Sequence, residues 1–222
     1  MNKMKKVVVL LAAVMAAAVL GGCGNSFDAS GYVKALLDNS YKNDSAEFVE
    51  QKVGTKEQAE ELYEQGIDTE MNSITAQAQF SDELSAEYRE VLKDIFKNVK
   101  YTVGEATKGE NNSYEVEVKY QKMNIFAPAM ESFNTTSQAY INEMTEKAQN
   151  GEETPSEEEM TEEIYAMLKD ALKESLENVT YGDEETTTIR IELKDKVYTP
   201  NEDDIYNLEM LLFDNDAVTA AQ

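Results

Sequence analysis

The 222-residue chain contains no histidine, no tryptophan and a single cysteine. Without histidine it lacks the commonest general base, the commonest transition-metal ligand and the side chain that changes charge near neutral pH. A lone cysteine cannot close an intrachain disulfide or build a thiolate metal centre. The absence of tryptophan weakens a sugar-stacking surface. Basic residues are also scarce, 20 against 44 acidic ones, for a net charge of −24. Nucleic-acid binding draws most of its affinity from Lys and Arg on phosphates, so that class is excluded. An anionic bilayer surface would repel the chain as well, so any membrane attachment has to come from something other than charge.

The long hydrophobic run is confined to one place. Lys3, Lys5 and Lys6 precede an unbroken apolar stretch from Val7 to Leu20, followed by Gly21, Gly22 and Cys23. A positive start, a short apolar core and small residues at its end are the layout of a secretory signal. The run is shorter than the ~20 apolar residues that a membrane span needs. Leu20-Gly21-Gly22-Cys23 resembles the lipobox of bacterial lipoproteins. That resemblance implies cleavage between Gly22 and Cys23 and a diacylglycerol on the Cys23 sulfur. Two acyl chains anchor stably where one does not. The sequence reading is therefore a signal peptide over 1–22, a lipidated cysteine and tether over 23–29, and attachment to the extracytoplasmic face of the cell membrane. Loss of the three leader lysines takes the net charge to −27. That acidity serves solubility first and leaves a cationic or protein partner at the envelope as the expectation, with the chain itself monomeric.

The remainder alternates between two periods. Tyr32, Val33, Leu36, Leu37 and Tyr41 share one helical face. Thr55-Lys56-Glu57-Gln58 is a capping box opening a helix with Ala59, Leu62, Tyr63, Ile67, Met71, Ile74 and Ala78 as its stripe. Ser81 caps another, with Leu84, Tyr88, Val91, Leu92, Ile95, Phe96 and Val99. From Lys100 the pattern becomes strand-like, with Tyr101 and Val103, a turn at 108–113, then Tyr114, Val116, Val118 and Tyr120 alternating with charged neighbours. Helical spacing returns over 126–178 as an antiparallel pair joined near Asn150-Gly151. The second of these helices opens at Thr154-Pro155-Ser156-Glu157. Thr187, Ile189, Ile191 and Leu193 form a strand that turns at Asp195-Lys196. Thr199-Pro200-Asn201-Glu202, a box of the same Thr-Pro form, opens a last helix. The predicted architecture is α+β, with helices packed on a small antiparallel sheet. By fold analogy the sheet is cystatin/NTF2-like and curved. One domain spans 30–213, the helical pair 126–178 is an insertion, and 214–222 is a frayed tail.

Tyr32-Val33-Lys34-Ala35-Leu36-Leu37-Asp38-Asn39, and Tyr198-Thr199-Pro200 through Asp203-Asp204 to Leu211-Leu212-Phe213, together with the lipobox, resemble a family of Gram-positive bacterial lipoproteins that carries a domain of unknown function. The resemblance implies the address and the fold class, and no activity.

No G-x-S-x-G, S-x-x-K, P-loop or G-x-G-x-x-G motif is present. Only oxygen ligands exist, which restricts metals to calcium- or magnesium-like ions. Asp214-Asn215-Asp216 and Glu202-Asp203-Asp204 are the candidate clusters, but neither has the spacing of an EF-hand loop, so no metal and no cofactor is assigned. Glu152, Glu153, Glu157, Glu158, Glu159, Glu162 and Glu163 crowd the tip of the helical pair, as a solvated face with first-turn acids complementing the helix dipole. The expected function is a non-enzymatic binding or interaction module at the cell surface. One alternative is a small-molecule cup in a curved sheet, lined by Tyr63, Tyr88, Tyr114 and Tyr120. A second is a carboxylate-dependent envelope hydrolase. A cup requires an enclosed cavity bearing strand tyrosines, and a hydrolase requires two convergent carboxylates with a raised pKa. An interaction module requires an exposed apolar patch instead.

Overall fold

The computed structural model describes residues 19–20 (backbone), 27–76 and 80–215. Among them are seven helices: α1 Ala29–Lys42, α2 Ala46–Glu50, α3 Lys56–Thr75, α4 Asp82–Lys97, α5 Phe126–Gln149, α6 Glu157–Glu177 and α7 Glu202–Leu212. The strands are β1 Val19–Leu20, β2 Lys100–Lys108, β3 Tyr114–Asn124, β4 Thr180–Lys194 and β5 Val197–Pro200. The class is α+β. Strands β2 to β5 form an antiparallel sheet in the order β5-β4-β3-β2, with the two residues of β1 paired to β5 at its edge. Cleavage ahead of Cys23 would remove β1 and leave β5 as the edge strand.

The sheet is two hairpins separated by the helical pair. β2 and β3 meet with Tyr101 opposite Tyr120 and Val103 opposite Val118. β3 and β4 meet with Val116 opposite Ile189 and Tyr114 opposite Ile191. The alternation read in the sequence sets the faces. Val116, Val118 and Tyr120 are buried, while Glu115, Glu117 and Lys119 are exposed. The β4–β5 turn places Asp195 and Lys196 at φ 51° and 68°, the left-handed pair that a two-residue hairpin favours.

Helix α1 packs against β2 and β3 and is buried over most of its length, Asp38, Asn39 and Ser40 included, with Lys34 and Lys42 exposed. Tyr32, Ala35, Leu37 and Tyr41 are fully buried. Its one acid on the buried side, Asp38, accepts from the Tyr101 hydroxyl at 2.7 Å and from Lys34 Nζ at 2.6 Å. α1 occupies the face of the sheet where a ligand cup was expected. Phe27, assigned to the tether from sequence, belongs to this layer. Its ring stacks on Tyr198 at 3.9 Å and meets Tyr32 and Tyr114 at 5.5 Å each.

Five helix starts follow local rules, α1 among them, where Asp28 accepts from Gly31 N–H. Thr55 and Gln58 close a reciprocal box, and Ser81 accepts from Leu84 N–H. Two start sites differ from the Thr-Pro reading. Ser156 rather than Thr154 caps α6 and forms its box with Glu159. Asn201 rather than Thr199 caps α7, because β5 continues through Pro200, which pairs with Ile191. The start of α5 is capped from far away. Ile125 precedes α5 and supplies no side-chain cap. The Asp214 carboxylate instead accepts from the backbone N–H groups of Ile125, Phe126 and Ala127 at 3.1, 2.9 and 2.7 Å. Asp214 and the buried Asn215 are thus packed, not the start of a frayed tail; residues 216–222 lie outside the described set.

The helical pair departs from the sheet at Ile125 and returns at Thr180. Gly151, at φ 74°, makes the left-handed turn after α5, a conformation that favours glycine. The pair is anchored at its base, where the Ser175 hydroxyl donates to Ile125 O at 2.7 Å, and α6 leans on α4.

Candidate functional site

A cavity of about 170 Å³, partly open to solvent, lies where the helical layer meets the base of the pair. Its lining combines Tyr41 of α1, Glu70 and Ile74 of α3, and Tyr88, Leu92, Ile95 and Phe96 of α4. The far side is Phe126, Ala129 and Met130 of α5, Leu168 and Leu172 of α6, Glu209 of α7, and Phe213. The rings run on from one another, with Tyr41 to Phe96 at 6.1 Å, Phe96 to Phe213 at 6.4 Å and Phe213 to Phe126 at 5.8 Å.

Three polar groups interrupt this apolar wall. Glu70 is 9% exposed and makes no hydrogen bond or ion pair among the described residues. Burial pushes its carboxyl up to about 7, because a charge removed from water without a partner is destabilised. The Tyr41 hydroxyl is buried and has no hydrogen-bond partner among the described residues. Burial first, and then the carboxylates of Glu209 and Glu70, raise its pKa well above the ordinary tyrosine value. Glu209 is buried on the same wall. Among the described residues no lysine or arginine lines the cavity.

Of the four tyrosines proposed as a cup, the structure brings only Tyr88 to this cavity. Its hydroxyl donates to Tyr165 O at 2.7 Å, and burial raises its pKa. Tyr63 is buried elsewhere on α3, with its hydroxyl raised to about 12 by burial. Tyr114 sits in the Phe27–Tyr198 ring cluster. Tyr120 donates to Glu185 across the sheet at 3.0 Å. The cup fails at the sheet because α1 fills the sheet's face, and a cavity opens one layer further out.

Sequence reasoning missed Tyr41, Glu70 and Glu209. The signal was present. Glu70 lies in the row Tyr63, Ile67, Ile74 of α3, and Glu209 sits between Leu208 and Leu212, so both are acids on an apolar stripe. The candidate metal acids are occupied otherwise. Asp214 caps α5, and Asp204 receives a two-pronged ion pair from Arg190 at 2.7 and 2.8 Å. Among the described residues no group of three or more His, Cys, Asp or Glu is placed to hold a metal. The acidic run at the tip of the pair remains largely exposed, with Glu159 held below the usual carboxylate range by the Ser156 backbone and hydroxyl. Beside it, a shallow groove is lined by Tyr140, Ile141, Met144, Met160 and Ile164. Of the lipobox, Leu20 is described only as backbone of β1, and Gly21, Gly22 and Cys23 lie outside the described residues. Among the described residues no helix is long and apolar enough to cross a membrane.

No family model matches the chain, and no curated protein matches it. Among solved structures, it is similar to a protein from Bacillus subtilis described as a "putative lipoprotein" (YcdA), with a TM-score of 0.57 and 14% sequence identity. The match covers 84% of this chain and 56% of the other, so the chain spans little more than half the length of that protein. At this identity the likeness is one of fold.

Proposed function

We propose that the chain is a lipid-anchored, extracytoplasmic binding module that holds a small, largely apolar ligand between its helices without transforming it. The single observation behind this reading is the buried, unpartnered Tyr41 hydroxyl and the buried Glu70 carboxylate lining one largely apolar cavity. Natural interiors pair their buried polar groups, and exceptions point to function. A few polar groups in an apolar concavity is the composition of a ligand site. The address is supported by the signal layout and lipobox ending at Cys23, and by the described character of the structural relative as a "putative lipoprotein".

The hydrolase alternative draws on Glu70 and Glu209 lining one cavity. Hydrolysis of a glycan needs two carboxyl groups flanking the scissile bond with sugar rings on both sides. A volume of about 170 Å³ is close to that of the ~150 Å³ cavity that takes one benzene, which weighs for holding a small molecule.

The test is thermal unfolding of the full-length protein against a library of small apolar and amphipathic compounds. A ligand at 100 times its dissociation constant stabilises the native state by about 2.7 kcal/mol. A hit whose shift vanishes when Ala129→Leu narrows the cavity supports the reading. A hit indifferent to that substitution, or a uniformly flat library, refutes it.

A further inference from the structure

Resting on that reading, we infer that the cavity's ligand is a small organic monocation, an amine or ammonium with an apolar body of about six to ten heavy atoms, whose charge sits against Glu70 and whose body sits among the rings of Tyr41, Phe96, Phe126 and Phe213.

The inference starts from what the wall lacks. A carboxylate in an apolar enclosure is costly unless it is paired. Glu70 is nine-tenths buried, and among the described residues it has no hydrogen bond or ion pair and no lysine or arginine lines the space. With no histidine anywhere in the chain, no titrating imidazole can take that part. The counter-charge has to arrive with the ligand. The other groups in the space fit the same chemistry. Glu209 adds a second acid to the wall. The Tyr41 hydroxyl, fully buried and unpartnered, can accept from an N–H donor. Four aromatic rings in sequence, 5.8 to 6.4 Å apart, offer faces to a cation, and aromatic enclosures are how proteins hold alkylated ammonium groups. An anion is repelled by the same walls. A neutral molecule leaves Glu70 with the proton that burial favours and gains nothing from the carboxylate. The net charge of −27 after leader removal draws cations toward the domain as a whole.

Size and charge can be separated with matched probes. Benzylamine, benzyl alcohol and benzoate differ little in shape and carry +1, 0 and −1 at pH 8. At that pH Glu70 is ionised; the other titratable groups on the wall are Tyr41, Tyr88 and Glu209. Isothermal titration of the full chain in lipid nanodiscs, with empty nanodiscs as the blank, should show benzylamine binding at least about tenfold tighter than benzyl alcohol and benzoate not binding. Glu70→Gln should abolish the preference for the amine while keeping the weaker binding of the alcohol. Ala129→Leu should weaken both. If the alcohol binds as well as the amine to the unmodified protein, the cation inference falls while the cavity reading stands. If Glu70→Gln still prefers the amine, the assignment to Glu70 falls. If neither probe binds at millimolar concentration, the ligand-binding reading itself falls. The comparison within the unmodified protein needs no variant to fold.

Discussion

Replacing Glu70 by glutamine should stabilise the protein at alkaline pH and not at acid pH, which inverts the usual outcome of a buried substitution. The native state holds the Glu70 proton up to about pH 7, whereas an unburied glutamate releases it near 4.5. Between those values the native state binds more protons than the unfolded chain, so stability falls as pH rises. Below about 4.5 both states are protonated and the group costs nothing; above about 7 both are ionised and the full penalty applies. At 1.36 kcal/mol per pH unit the penalty is about 3 kcal/mol. Glutamine cannot ionise. It resembles the protonated acid in shape, and its own burial cost is the same at every pH. The difference in unfolding free energy between Glu70→Gln and the parent should therefore move by about 3 kcal/mol in favour of the variant between pH 4 and pH 8. For a chain of this length that is a relative change in Tm of about 6–12 °C. Urea unfolding of both proteins at four pH values measures it. The many surface carboxylates titrate in both proteins and cancel. A difference that stays flat with pH refutes the assignment of Glu70 to a buried, unpartnered environment.

Other substitutions examine the supports of the site and its address. Asp214→Ala removes the acceptor for three backbone N–H groups at the start of α5, and should lower stability by about 1–2 kcal/mol in urea titrations. Ser175→Ala leaves the buried Ile125 carbonyl without its 2.7 Å donor, with an expected loss of about 1–2 kcal/mol by the same measurement. Cys23→Ser should leave the melting temperature unchanged while moving the protein from the membrane to the soluble fraction of the cell. Intact mass of the parent should show the acyl groups on the residue that begins the mature chain.

The helices and strands were legible because period and capping are local. The alternation of Tyr114, Val116, Val118 and Tyr120 and the Thr55–Gln58 box need no neighbour to be read. What escaped depends on partners distant in sequence. Asp214 caps a helix that begins 88 residues before it at Phe126, so its carboxylate looked like a metal ligand in a loose tail. The Thr-Pro boxes failed because Ser156 and Asn201 offer equally good caps two residues later, and for Asn201 the strand pairing of Pro200 with Ile191 decides. The cup was expected at the sheet because a curved sheet, taken by fold analogy, would gather Tyr114 and Tyr120 with the helical Tyr63 and Tyr88. Helix α1 takes that face, burying Tyr32, Leu36 and Leu37. The cavity residues were hidden in a different way. Tyr41 looked like core, and Glu70 and Glu209 were passed over because 44 acids make any one of them unremarkable until its position on the apolar stripe is weighed.

That position carries the functional weight. A leucine or methionine at 70 would continue the stripe of α3 and bury apolar surface instead of charge. The penalty of about 3 kcal/mol at neutral pH is a sizeable share of the 5–15 kcal/mol that hold a domain together. Local rules are broken in this way mostly at functional sites. The same free energy sets the ligand's advantage. A cation that enters the cavity restores a partner to an ionised Glu70, so it binds the native state and not the unfolded chain, and it should stabilise the protein most where the empty cavity is least stable, above pH 7. Below that pH the cavity must first lose the Glu70 proton, and the advantage of an amine over its neutral isostere shrinks accordingly. Binding preference and pH-dependent stability are therefore one thermodynamic linkage measured at two ends. The two experiments on Glu70→Gln must agree, and a variant that abolished one effect while sparing the other would separate the cavity's charge from its ligand.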